Sequence, residues 1–307
     1  MLSLMAELAV SGNRPFSYPE NHVLSRRSAL DSLRDGYLED AISWLGQACF
    51  FMKVGNVSVL TDPFLSLRAS PLPFSGPKRL VPAPLQIGDL PTLDVMVISH
   101  NHYDHLDKKT LSNWHNKTTP VITTIGTGDV IRRLGYNQVI ELDWYQSVEV
   151  KGAVFTCLPA YHFSGRSLTD SNRALWGSFH IQCKDRSVFF AGDTGYGSEF
   201  TRIGEIMGPV DLALVPIGAY APRDIMAKVH ASPEEGVAIG RDVGAGMLIP
   251  MHWGTIRLTN EPMMEPKHRF EAAIQQQSGA NKTPGQVFSI GETRRFSELG
   301  SHRLTID

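Results

Sequence analysis

The sequence predicts an α/β protein of layered strands and helices. Two observations carry that expectation. Short apolar runs alternate with helical stretches along most of the 307 residues. Side chains that ligate metals arrive repeatedly just past the ends of those runs. A chain of this length can bury a sizeable core, in one large domain or two.

The elements follow in order. Residues 1–40 read as an N-terminal extension, irregular around Pro15, Pro19 and Asn21, with a short helix over Ser28–Leu38. Ala41–Leu45, Cys49–Val54 and Val57–Leu60 are expected strands, turned by Gly46-Gln47 and Gly55-Asn56. Asp62 stands at a strand end before Pro63, as a turn cap or as a carboxylate that orients a ligating histidine. Residues 66–91, rich in proline and without a period, predict a long surface loop over part of the site. Its Leu72, Phe74 and Leu80 suit either a greasy substrate or packing on the domain. Val95–Ile98 is a buried strand, Lys108–Trp114 a helix, Val121–Ile125 a strand and Gly126–Leu134 a helix. Val139–Leu142, Ser147–Val150 and Ala153–Leu158 are short β runs, and Arg166–Leu175 is polar loop. Ser178–Cys183 and Ser187–Ala191 are strands, Glu199–Met207 a helix and Asp211–Pro216 a buried strand. Ser232-Pro233-Glu234-Glu235 opens a helix with an N-cap, a first-turn proline and a capping box, and the helix stops near Gly244. Met247–Pro250 is a strand, Pro266–Ser278 a helix and Gln286–Ser289 a last strand.

Composition narrows the function. Charged residues make up 20% of the chain, and 29 basic side chains against 31 acidic ones leave no basic patch for nucleic acid. Cys49, Cys157 and Cys183 lie in or beside strand-like runs without CxxC spacing, which suits buried reduced thiols. No stretch approaches the ~20 apolar residues of a membrane span. The N-terminal MLSLMAELAVSGNRP lacks a preceding positive charge and makes a poor secretory signal. The expectation is a soluble, cytoplasmic protein, with contact at a membrane surface left open.

The chemistry concentrates in Val97–Asp107, VISHNHYDHLD. In extended chain His100 and His102 point to the same side. Asp104 and His105 follow where the strand gives way. One segment thus offers two imidazoles to one cation and a carboxylate plus imidazole to a second, and such ligands suit zinc, with iron or manganese compatible by ligand type. His162, Asp193 and His252 also fall at strand ends. Glycines flank Asp193 in a GDTG that by itself is only a tight turn. His230, two residues ahead of the Ser232 N-cap, lies by a natural anion-binding position. His22, His115, His180, His268 and His302 read as ordinary.

HNHYDH fits the HxHxDH signature of the metallo-β-lactamase fold hydrolases. TDPFLSLRASP, ISHNHYDHLD, RSLTDSNRALWGSF, FFAGDTGY, HASPEEGV and MHWGT together resemble N-acyl-phosphatidylethanolamine-hydrolysing phospholipase D and its bacterial relatives, across roughly residues 41–268. The resemblance implies an αβ/βα sandwich over 41–307, with two packed mixed sheets and helices on the outer faces. It implies two zinc ions per chain. One would take His100, His102 and His162, the other Asp104, His105 and His252, with Asp193 bridging. Asp104 would also orient the nucleophile, and His230 would contact phosphate or transfer a proton. The implied reaction is hydrolysis of a phospholipid phosphodiester to phosphatidic acid and an N-acylethanolamine, by a homodimer that meets membranes. A lactonase or a soluble phosphodiesterase on the same fold is the alternative enzyme. A metal-binding scaffold without turnover is the alternative of another class.

Overall fold

A computed structural model describes residues 16–167, 169–278 and 282–300, so the N-terminal MLSLMAELAVSGNRP, Pro15 included, and His302 lie outside the described residues. The first sheet starts from a hairpin. Strands β1 (Ala41–Trp44), β2 (Phe50–Val54) and β3 (Val57–Thr61) pair antiparallel. The sheet continues in parallel through β4 (Val95–Ile98), β5 (Val121–Thr124) and β6 (Val139–Leu142). The second sheet runs antiparallel through β7 (Ser147–Val150), β8 (Ala153–Leu158), β9 (Ser178–Cys183) and β10 (Arg186–Phe190). It then turns parallel through β11 (Val210–Pro216) and β12 (Ala245–Met251). A short β13 (Thr293–Arg295) closes the outer edge of the first sheet against β1.

Alternation within the strands explains the layers. In β2, Phe50, Met52 and Val54 join the core between the sheets, whereas Phe51 joins a separate cluster on the outer face. In β4, Val95 and Val97 face inward and Met96 and Ile98 outward. Both faces are therefore covered, which is why these strands read as unbroken apolar runs. Fully burying one side chain of this kind contributes about 1.5–3 kcal/mol.

The outer face of the first sheet is covered by α1 (Arg26–Gly36), α2 (Lys108–Asn113) and α3 (Gly128–Arg132), which supply Leu33, Leu111 and Ile131 to that cluster. Beyond the second sheet lie α4 (Glu199–Met207), a four-residue α5 (Arg223–Met226), α6 (Pro233–Asp242) and α7 (Glu265–Gln276). There α6 packs on β11 and β12, and α7 packs on α6. The result is the expected αβ/βα sandwich of two mixed sheets with helices outside. The three cysteines are free and buried. Among the described residues no helix is long and apolar enough to cross a membrane.

One expected strand is corrected. Gln286–Ser289 is not a strand. Its Gln286 N–H donates to Leu248 O, and flanking Gly285 and Ile290 make only single bridges, to Leu248 and Val23. The last strand is instead Thr293–Arg295, too short and too basic to show an apolar alternation. The first helix also begins earlier than expected, because Ser25 caps it by accepting from Ser28 N–H at 3.1 Å.

Candidate metal centre

The candidate ligands leave the sheets at one edge. Thr61 ends β3 just before Asp62, Ile98 ends β4 just before the Ser99–His105 segment, and Met251 ends β12 just before His252. Asp193 follows β10 through Gly192, and His162 follows β8. Two close approaches fix the backbone. Gly192 has φ +59°, and a Cβ there would lie 2.9 Å from Ser99 Cβ. At Gly218 a Cβ would lie 2.0 Å from the His252 carbonyl oxygen. Glycine is thus required where β10 and β11 crowd the ligand segments.

The structure brings all seven candidates into two adjoining groups, His100, His102, His162 and Asp193 in one, Asp104, His105, His252 and Asp193 in the other. Within each group the ligand atoms lie within 4.8 Å of one another. His100 Nε2 lies 2.9 Å and His162 Nε2 3.2 Å from His102 Nδ1. Asp193 Oδ2 faces both groups, 3.2 Å from His105 Nε2, 3.1 Å from His252 Nε2 and 3.7 Å from His162 Nε2. Asp104 Oδ2 lies 3.3 Å from His252 Nε2 and 3.4 Å from His105 Nε2.

The donor chemistry fits divalent cations. Imidazole and carboxylate converge without a thiolate. Buried His105 Nε2 and Asp193 Oδ1 have no hydrogen-bond partner, and such atoms are costly unless something binds them. Electrostatics agrees. Burial, then the neighbouring imidazoles of His105 and His102, hold His100 well below the usual histidine range. Burial opposes charge on His252 as well, yet the carboxylates of Asp193 and Asp104 lift it to about 9. Burial likewise opposes charge on His105, and Asp193, Asp104 and Asp62 raise it well above the usual range. Positive charge is favoured where a cation would sit, and its arrival would displace protons. The two groups form a binuclear site for divalent cations.

Asp62 is fully buried beneath the ligands. Its Oδ2 lies 2.6 Å from His105 Nδ1 and accepts from Ser99 Oγ at 2.6 Å, while Oδ1 accepts from Ser99 N–H at 2.7 Å. Ser99 Oγ lies 2.9 Å from His100 Nδ1. One carboxylate therefore orients a histidine of each group, directly and through a hydroxyl. His162 Nδ1 is oriented by Val229 O at 2.9 Å. His230 is buried with its Nδ1 4.0 Å from Asp193 Oδ2 and its ring 5.0 Å from that of His162. Burial pushes its pKa down to about 4.

Sequence reasoning missed Arg166. Its Nη1 donates to Asn101 O at 2.6 Å and Leu106 O at 2.9 Å, and its guanidinium lies 3.9 Å from the Tyr103 ring centre. It clamps the ligand segment from a loop sixty residues away, and no spacing announces such a contact. Phe64, Ala69 and Ile256 pack with Tyr103 and seat the base of the 66–91 loop beside the ligands. Leu72 and Phe74 on that loop are exposed, and Leu80 is partly buried.

With this geometry in view, comparison with known proteins places the chain. Residues 58–253 match the family model described as a β-lactamase superfamily domain. The chain belongs to that superfamily. It is 42% identical over 254 residues to an uncharacterized protein of Mycobacterium tuberculosis, covering 80% of this chain and 68% of the relative. It is 37% identical over 269 residues to N-acyl-phosphatidylethanolamine-hydrolyzing phospholipase D 1 of Caenorhabditis elegans, covering 83% of this chain and 76% of the relative. The solved structure of a possible metal-dependent hydrolase from Veillonella parvula superposes with a TM-score of 0.67 at 18% identity, covering 83% of this chain and 99% of that one, which speaks for the fold alone. Superfamily membership and the binuclear site together make this chain a metal-dependent hydrolase.

Proposed function

We propose that this hydrolase is a two-zinc phosphodiesterase of phospholipase D type. It would cleave a phospholipid such as N-acyl-phosphatidylethanolamine to an N-acylethanolamine and phosphatidic acid. The observation that carries the substrate class is the 37% identity to the Caenorhabditis elegans phospholipase.

In this reading His100, His102 and His162 would hold one ion and Asp104, His105 and His252 the other, with Asp193, which faces both groups, as the shared ligand. Two divalent cations so held supply Lewis acidity toward phosphoryl oxygens and lower the pKa of water. The chain's own residues do the rest. Asp193 and Asp104 set the negative charge that balances the cations. Asp104 orients the nucleophile from its place beside His105 and His252. Asp62 keeps the Nδ1 proton on His105 and so leaves Nε2 free to ligate. His230, a neutral imidazole at neutral pH because burial disfavours its charge, contacts the phosphate and moves a proton to or from it. Leu67, Leu72 and Phe74, exposed on the loop beside Tyr103, suit contact with lipid, and a homodimer at a membrane surface belongs to the same proposal.

The test is incubation with N-acyl-phosphatidylethanolamine in mixed micelles, with products identified by mass spectrometry. Release of N-acylethanolamine together with phosphatidic acid is expected. Turnover of a lactone or a soluble phosphodiester with the phospholipid left intact would overturn the substrate assignment.

A further inference from the structure

The turn between β1 and β2 carries a residue whose placement no turn requires. Gln47 is buried at 1% exposure and has φ +56°, a conformation that disfavours any side chain beyond glycine. The surroundings force it there. Arg79, itself buried, donates from Nη2 to Leu45 O at 2.7 Å, from Nη1 to Phe64 O at 2.6 Å and from Nε to Val81 O at 2.9 Å. Gly46 has no room for a Cβ, which would lie 2.3 Å from Arg79 Nη2. Thr255 Oγ1 accepts from Gln47 N–H at 2.9 Å. The Gln47 carbonyl accepts from His252 N–H at 3.0 Å and from Trp44 Nε1 at 3.0 Å.

The side chain then reaches the second group of ligands. Gln47 Nε2 donates to Asp104 Oδ2 at 2.9 Å, the oxygen that also faces His105 and His252. Gln47 Oε1 is buried and has no partner. A purely structural amide would pair at both ends, since an unmet buried acceptor is unfavourable. Here the one satisfied end is the one that touches a candidate ligand. The same residue holds His252 through its carbonyl and Asp104 through its amide.

We propose that Gln47 is the positioning residue of the second metal position, fixing Asp104 and His252 against each other so that this position binds its ion. The proposal rests on the binuclear reading of the site. Gln47 touches no reacting atom. It acts through Asp104, by taking up one lone pair of Oδ2 and fixing the carboxylate's rotation, and through His252, by fixing the backbone that carries it. Its hydrogen bonds to the candidate ligands go to Asp104 and His252, both of the second group.

The experiment is stepwise addition of cobalt(II) to metal-free full-length protein, followed by calorimetry and visible absorption, with thermal melting of the metal-free form as control. Gln47→Met keeps the volume and removes the donor; Gln47→Glu keeps the shape and sets an acceptor against Asp104. Each variant is expected to bind the first ion as wild type does and the second about 10–100-fold more weakly. The spectrum of the second ion should change in both variants, and the metal-free melting temperature of Gln47→Met should stay near that of wild type. Equal affinities in wild type and both variants would overturn the proposal. So would parallel weakening of both ions, or a drop in metal-free stability that accounts for the effect. If Gln47→Met fails to fold, Gln47→Glu decides by the same titration. A wild-type protein that takes up fewer than two ions sinks the binuclear reading itself, a result distinct from failure of Gln47's role.

Discussion

The two halves of the metal centre are built from unlike chemistry. The first gathers three imidazoles. Burial, joined by neighbouring imidazoles, holds His100 and His162 well below the usual histidine range, and burial sets His102 at about 4. The second places His105 and His252 against Asp104, and there the carboxylates overcome burial and hold protons on the rings. The imidazoles of the first half are thus held neutral, whereas those of the second favour a proton beside their carboxylates, a proton that an arriving cation would displace. Their supports differ too. His100 is oriented through Ser99 and His162 by a backbone carbonyl, whereas Asp62 orients His105 directly and the buried Nδ1 of His252 has no partner. The lesson is that one carboxylate, Asp193, joins two sites that should bind their ions with different strength and respond differently to mutation.

The largest effect should come from removing what the halves share. Asp193→Ala is expected to abolish hydrolysis and the retention of both ions, read by metal analysis of the purified variant. Retention of both ions would break the picture of a shared ligand. Next comes His230→Ala, which should keep both ions and lower kcat by about 10²–10⁴-fold if His230 moves a proton. Loss of metal instead would make it a ligand. Asp62→Ala should weaken metal binding by about 10–100-fold, the second ion more than the first. Ser99→Ala removes the hydroxyl beside His100 and one donor to Asp62, so it should weaken the first ion more than the second, and titrations of the two variants side by side sharpen the asymmetry. The smallest effect lies away from the centre. Burial raises the Cys49 and Cys157 thiols to about 12, so the thiolate is disfavoured at neutral pH. Treatment of the native protein with iodoacetamide should leave both unlabelled and activity unchanged, with labelling by mass spectrometry only after unfolding.

Much of this was legible in the chain. Strands from β1 to β12 were expected from the chain, most of them because burial on one or both faces writes an apolar run, with β7 showing only its alternation, and Ser232 to Glu235 announced α6 because a capping box is local chemistry. The ligands were legible for the same reason, since strand ends deliver them in short segments. Asp62 was readable only as a choice between turn cap and support, and the structure sets it under His105 and Ser99. Contacts made across long separations were not legible. Arg166 reaches Asn101 and Leu106, Arg79 reaches Leu45, and Gln47 reaches Asp104, each from a segment whose sequence shows only a polar loop or a turn. Edge strand β13 was hidden because three residues, two of them arginine, carry no alternation.

The central claim is a centre of two cations, unequal in strength, on which hydrolysis depends. The most direct test is metal content and hydrolysis of the phospholipid in one preparation, followed through stepwise chelation. The account predicts about two ions per chain, one lost before the other, with activity falling as the first ion leaves. Full activity after both ions are removed would contradict it.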